Sequence, residues 1–184
     1  MKRATVALAM CLAMSAGTAG SGAAQGRVAR HSAPSRLDRT VSVYAAVIRE
    51  LVARDHAFGV SDTGVVYVLD GSVEGAGDPM RSATGHPRRF PPALKRRLRK
   101  ALGDLPAMRF VEDRASVIVG DPPGHVIDNG VLLTLGPIKG VPTRFEVASS
   151  LWVNGLAGQW QTYVVVPAGR GWKVGGTTGP IAIS

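Results

Sequence analysis

Across residues 144–153 the side chains alternate, with Phe145, Val147, Ser149, Leu151 and Val153 on one side of an extended chain and Arg144, Glu146, Ala148, Ser150 and Trp152 on the other. A period of two laid on a helix would scatter the apolar residues around its axis, so this stretch predicts a strand with one apolar face. Residues 131–135, 160–166 and 172–174 are mostly apolar and rich in β-branched or aromatic side chains, and Gly and Pro turns set them apart. Residues 181–183 add a short final strand. The carboxyl-terminal part of the chain therefore predicts a β-meander.

Two helices precede or interrupt it. Tyr44, Val47, Ile48 and Leu51 fall at i, i+3, i+4 and i+7, with Ser42 as N-cap, Arg54 facing Glu50 and Gly59 as the stop. Pro91-Pro92 opens the second, in which Leu94, Leu98 and Leu102 recur every four residues until Gly103 and Pro106. Residues 65–69 read as a buried strand. Residues 108–111 and 116–119 read as short strands, set off by Asp121-Pro122-Pro123-Gly124. Residues 70–92 form the longest irregular stretch, and loops of that length are usually functional or disordered. The expected fold is α+β: two helices packed on one face of a curved antiparallel sheet, in a single domain over residues 40–184.

Residues 1–24 have the order of a secretory signal peptide: basic Met1-Lys2-Arg3, an apolar stretch to Met14, then small residues leading to a cut before Gln25. A cut after Ala19 also suits this pattern. Cys11 raises the possibility of lipidation, but bulky Met10 stands where a lipoprotein signal needs a small residue, so a lipoprotein is not predicted. Residues 25–39, with Arg27, Arg30, Arg36 and Arg39 among Ser, Pro and Gly, read as a flexible basic leader. These features predict a secreted or extracytoplasmic protein. A cut after Ala24 removes the single cysteine of the 184-residue chain, excluding disulfides, thiol catalysis and thiolate zinc sites from the remainder. It also removes Lys2 and Arg3, lowering the formal charge from +9 to +7.

The histidines His31, His56, His86 and His125 lack the spacing that places two metal ligands on one helical face. His56 suits the end of the first helix, where it complements the helix dipole. Asp121, His125 and Asp128 could hold a divalent ion, yet Asp-Pro and Asp-Asn-Gly are equally turn chemistry. No G-x-S-x-G marks a serine hydrolase, and Ser149-Ser150 lie within a strand. Asp70, Glu74 and Asp78 could serve acid–base work, although spacing within a loop fixes no distance. Gly75-Ala76-Gly77 and Gly155-Leu156-Ala157-Gly158 lack the lysine of a phosphate loop and read as turns. Trp152, Trp160, Tyr163 and Trp172 could line a pocket, but Trp160 or Trp172 equally suits the space between helices and sheet. No cofactor or metal is predicted.

Charge supplies the one concentrated signal. Of 22 lysines and arginines, eight lie in residues 81–100 with no acidic residue among them: Arg81, Arg88, Arg89, Lys95, Arg96, Arg97, Arg99 and Lys100. The last seven are the candidate site, a basic surface suited to anionic lipid or a cell-wall polymer, with another envelope protein as a further candidate partner. Phe90 is the only aromatic interleaved, so the stacking platform of a nucleic-acid binder is missing. The alternative is a hydrolase or metal-dependent enzyme built from His56, Asp70, His86 or His125, which requires those groups to share one cleft.

Residues 44–51 (YAAVIREL), 151–160 (LWVNGLAGQW) and 171–174 (GWKV) resemble small exported actinobacterial proteins. That resemblance implies no activity and carries no catalytic residues. A first helix followed by a meander ending in Gly-Trp-x-Val is also similar to cystatin-like and NTF2-like cones, a likeness of fold that licenses no function. Together these features predict an exported binding domain without enzymatic activity.

Overall fold

The computed structural model describes residues 34–54 and 63–184. The signal peptide, most of the leader, Cys11, His31, His56 and Gly59 lie outside the described residues. Helix α1 spans Arg36–Ala53. Its N-cap is Ser35 and not Ser42: the Ser35 hydroxyl accepts from the Asp38 amide at 3.1 Å, and the Asp38 carboxylate accepts from the Ser35 amide at 3.3 Å. This capping box extends the helix into the expected leader, taking in Arg36 and Arg39. At the other end Arg54 meets Glu50 at 3.6 Å, as the spacing predicts.

The remaining elements are β1 (Val65–Ser72), α2 (Pro79–Thr84), α3 (Pro92–Ala101), β2 (Ala107–Val111), a 3-10 turn at Arg114–Ser116, β3 (Ile118–Val119), β4 (His125–Val126), β5 (Val131–Leu135), β6 (Lys139–Val141), β7 (Arg144–Asn154), β8 (Ala157–Ala168) and β9 (Gly171–Ile183). They form a nine-stranded sheet. The meander is present as β7, β8 and β9, antiparallel throughout, and residues 171–183 make one strand where two short ones were expected. The α+β class holds, but the antiparallel reading covers only part of the sheet. Strand β1 lies between β2 and β5 and is parallel to both, Val66 pairing with Met108 and with Val131.

That arrangement follows from composition. Residues 65–69 are an unbroken apolar run and residues 131–135 are apolar except for Thr134, and such runs suit strands covered on both faces. On one face Val66, Val68, Val131, Leu133, Leu135, Val147, Leu151, Tyr163 and Val165 pack against Val43, Tyr44, Val47, Ile48 and Leu51 of α1 and Leu94, Leu98 and Leu102 of α3. Both long helices therefore share one face, as the sequence predicts. The opposite face is covered by α2 and the segment from the 3-10 turn to β4, where Tyr67 and Leu132 meet Val117 and Val126, and Leu69 meets Val73 and Ala76.

Residues 70–92 are largely built. Strand β1 continues to Ser72, and Asp78 caps α2 by accepting from the Arg81 amide at 2.9 Å, with Pro79 in the first turn. Asp-Pro is a helix-start signal as well as a turn signal, and the tertiary cover of the sheet decides between them.

Tyr44 links α1 to the end of β5: its hydroxyl, buried, donates to the Gly136 carbonyl at 3.0 Å. Replacing Tyr44 by Phe leaves that carbonyl without this donor and is expected to cost about 1–2 kcal/mol in denaturant unfolding. Burial pushes the Tyr44 phenol up from 10.0 to about 12. Because the folded state holds this proton more tightly, its stabilisation is complete below about pH 10 and is lost as pH rises towards about 12, by about 3 kcal/mol. Unfolding midpoints between pH 9 and 12, wild type against Tyr44→Phe, should reveal that extra slope in the wild type alone. Leu98→Ala in α3, at a fully buried position, should cost about 2–5 kcal/mol in the same assay.

Candidate functional site

Helix α3 displays its cations because its leucines are consumed inward. Leu94 and Leu98 are buried against α1, which leaves Arg96, Arg97, Arg99 and Lys100 exposed and Lys95 at the boundary. The seven candidate residues do not form one uniform patch. Arg89 makes a two-pronged pair with Glu112, at 2.9 and 2.8 Å. Arg97 pairs with Asp38 of α1, whose carboxyl is held below the usual range by the Ser35 hydroxyl first and by Arg97 second. Arg99 lies over the Phe110 ring of β2, 5.2 Å from its centroid. Arg88 stands apart from α3, at the end of β1, where its backbone exchanges two 2.9 Å hydrogen bonds with Ser72. Among the described residues Arg88, Arg96 and Lys100 form no ion pair.

Lys95 has a different role. Its ammonium meets the Asp70 carboxylate at 2.6 Å, with the Lys95 side chain 24% exposed and that of Asp70 only 6%. Asp70 is the last inward-facing residue of β1 before the chain bends, and its second oxygen has no hydrogen-bond partner among the described residues. An ionised carboxylate in such a place depends on its cation. Lys95 is thus withdrawn from the exposed basic surface and fixes α3 to the central strand. Glu74 is likewise engaged, by Lys139 at 2.8 Å, and Asp78 serves as a helix cap. The three carboxylates of the expected loop therefore have three separate tasks and do not converge.

The enzyme alternative required groups among His56, Asp70, His86 and His125 to share one cleft, and His56 lies outside the described residues. His125 pairs with Asn154 beyond the start of β5, whereas Asp70 and His86 stand at the far end of β1. About five residues of strand separate those positions, or about 16 Å along the sheet, too far for two groups to serve one substrate atom. Asp128 does not join His125 either. Its carboxylate accepts from the Tyr67 hydroxyl at 2.6 Å and lies 3.5 Å from Arg109, and Asp128 and Asn129 both hold positive φ in a tight turn. Among the described residues no three His, Cys, Asp or Glu side chains are placed to share a metal ion.

The aromatic residues are also divided. Trp172 packs on Phe145, ring centroids 4.9 Å apart, and Tyr163 is buried in the same helix-covered core. Trp152 lies on the opposite face, as does Trp160, whose indole donates to the Ser82 hydroxyl of α2 at 2.7 Å. The period-two alternation of β7 and β8 enforces that division.

One feature escaped the sequence. Arg114, in the 3-10 turn, is partly buried with no carboxylate partner among the described residues, and donates to the Ser82 carbonyl at 3.0 Å and to Thr134 Oγ1 at 3.3 Å. Desolvation lowers its pKa. No local pattern marks it, since its partners are distant in sequence.

Comparison of the chain with protein-family models, curated proteins and solved structures finds no match. No described helix is long and apolar enough to cross a membrane.

The two roles of the α3 cations can be separated by stability. Lys95→Met strands the Asp70 carboxylate and is expected to cost about 3 kcal/mol, while Arg96→Ala and Lys100→Ala should each stay within about 0.5 kcal/mol of wild type. Urea midpoints of the three variants check this.

Proposed function

We propose that this protein is an exported, non-enzymatic binding domain that attaches to anionic lipid or cell-wall polymer through the exposed face of α3. The observation that carries this reading is the division of labour on that helix: Lys95 and Arg97 are neutralised by Asp70 and Asp38, while Arg96 and Lys100 project into solvent without an acidic partner among the described residues. Arg99 joins them from its position over Phe110, still exposed and still charged. A helix held rigidly by buried leucines on one side and by two ion pairs at its flanks presents these cations in a fixed arrangement. Each basic group near an anionic surface contributes about 1 kcal/mol, an attraction that salt screens. The signal-like residues 1–24 and the resemblance to small exported proteins support an envelope setting for such contacts. Another envelope protein with an acidic face would satisfy the same cations.

Sedimentation with vesicles of phosphatidylcholine containing phosphatidylglycerol, against phosphatidylcholine alone, tests the proposal. Binding to the anionic vesicles alone, abolished by 0.5 M salt and weakened at least tenfold in the Arg96→Glu/Lys100→Glu double variant, is the expected result. Equal binding to both vesicles, or an unaffected double variant, would overturn it.

A further inference from the structure

Strand β1 stands where the sheet changes direction. From its carboxyl end the chain leaves through α2 and α3 to β2 on one side, and then reaches β5 on the other side of β1. In open sheets with parallel strands, the crevice outside the carboxyl ends at such a reversal is where ligands bind. Here that crevice exists as a small cavity of about 190 Å³ lined by Ser72, Glu74, Gly85, His86, Arg88 and Pro137. Its walls are the ends of β1 and β5, tied together by the Val73 amide donating to the Leu135 carbonyl at 2.8 Å.

The backbone around it is closely fitted. Gly71, at φ +156°, lets Ser72 and Arg88 exchange their hydrogen bonds, and a Cβ there would lie 2.6 Å from the Arg88 carbonyl oxygen. A Cβ on Gly85 would lie 2.3 Å from Val73 Cγ1. Arg88 is therefore fixed at the backbone, two residues from His86, and its side chain keeps its donors available. Among the described residues Arg88 has no carboxylate partner, and neither the His86 ring nor the Ser72 hydroxyl has a hydrogen-bond partner. The single acidic side chain, Glu74, is already neutralised by Lys139 at 2.8 Å.

From these donors, this charge balance and this position at the strand reversal, we infer that the crevice binds a single phosphate group. The volume is below the roughly 300 Å³ at which drug-sized ligands begin to fit, so a nucleotide would not enter whole. A guanidinium fork suits phosphate or carboxylate, but a phosphate has one more terminal oxygen and up to one more negative charge than a carboxylate, so it can engage an imidazole and a hydroxyl besides the fork. The site goes beyond the proposed α3 surface and shares with that candidate set only Arg88.

Titration of the isotopically labelled chain with inorganic phosphate, with glycerol phosphate and with acetate at matched ionic strength, followed by amide chemical shifts, tests the inference. Expected are saturable shifts at Ser72, Glu74, Gly85 and His86 with either phosphate compound. The tighter of the two distinguishes a free ion from a terminal phosphate group on a larger molecule. Arg88→Ala should weaken binding at least tenfold and Arg88→Lys, which keeps the charge without the fork, by less. His86→Ala should also weaken it, while Arg96→Glu/Lys100→Glu leaves it unchanged. No saturable shift, acetate bound as tightly as phosphate, or loss in the α3 double variant with retention in Arg88→Ala would each overturn the site. Vesicle binding by α3 is measured separately and stands or falls on its own.

Discussion

Strand β1 must be covered on both faces, and the rest of the molecule is arranged to do so. Val66 and Val68 face α1 and α3, while Val65 and Tyr67 face the segment around β3 and β4 and Leu69 meets Val73 and Ala76, just ahead of α2. An unbroken apolar strand has no side to offer water, so it belongs at the centre of a layered sheet with neighbours on both edges. Parallel neighbours require crossover connections, and α2 with α3 supplies the one from β1 to β2.

The same constraint shapes the electrostatics. A strand this apolar ends inside the protein, and the first inward-facing residue past its valines, Asp70, is a carboxylate almost out of reach of water. Lys95 answers it from α3, and Arg97, two residues further along the same helix, answers Asp38 of α1. The basic helix is consequently not a uniform solvated face. Part of its charge holds the layers together and part remains available to a partner, and residue type alone does not distinguish the two uses.

Much of the architecture was legible from local patterns. The four-residue leucine repeat of α3, the alternation of β7 and the apolar stripe of α1 follow from periodicity, because side-chain direction in helices and strands is set by backbone geometry. What was not legible depends on distant partners. Ser35 outcompetes Ser42 as N-cap through a reciprocal bond with Asp38, and Asp78-Pro79 begins a helix because the outer face of the sheet needs covering. Trp160 and Trp172, both aromatic and both in the meander, occupy opposite faces. The separation of Asp70 from His125 depends on strand register, which no spacing along the chain reveals.

The sequence by itself determined the two long helices and the main strands, the inward faces of α1, α3 and β7, and the concentration of positive charge in residues 81–100, because each of these is a property of neighbours along the chain. The tertiary structure alone decided the parallel placement of β1, which cations are neutralised, and that Arg88 leaves the helix surface for the crevice between β1 and β5. Those outcomes depend on which segments meet across the sheet, and contacts between residues far apart in sequence leave no periodic trace in it.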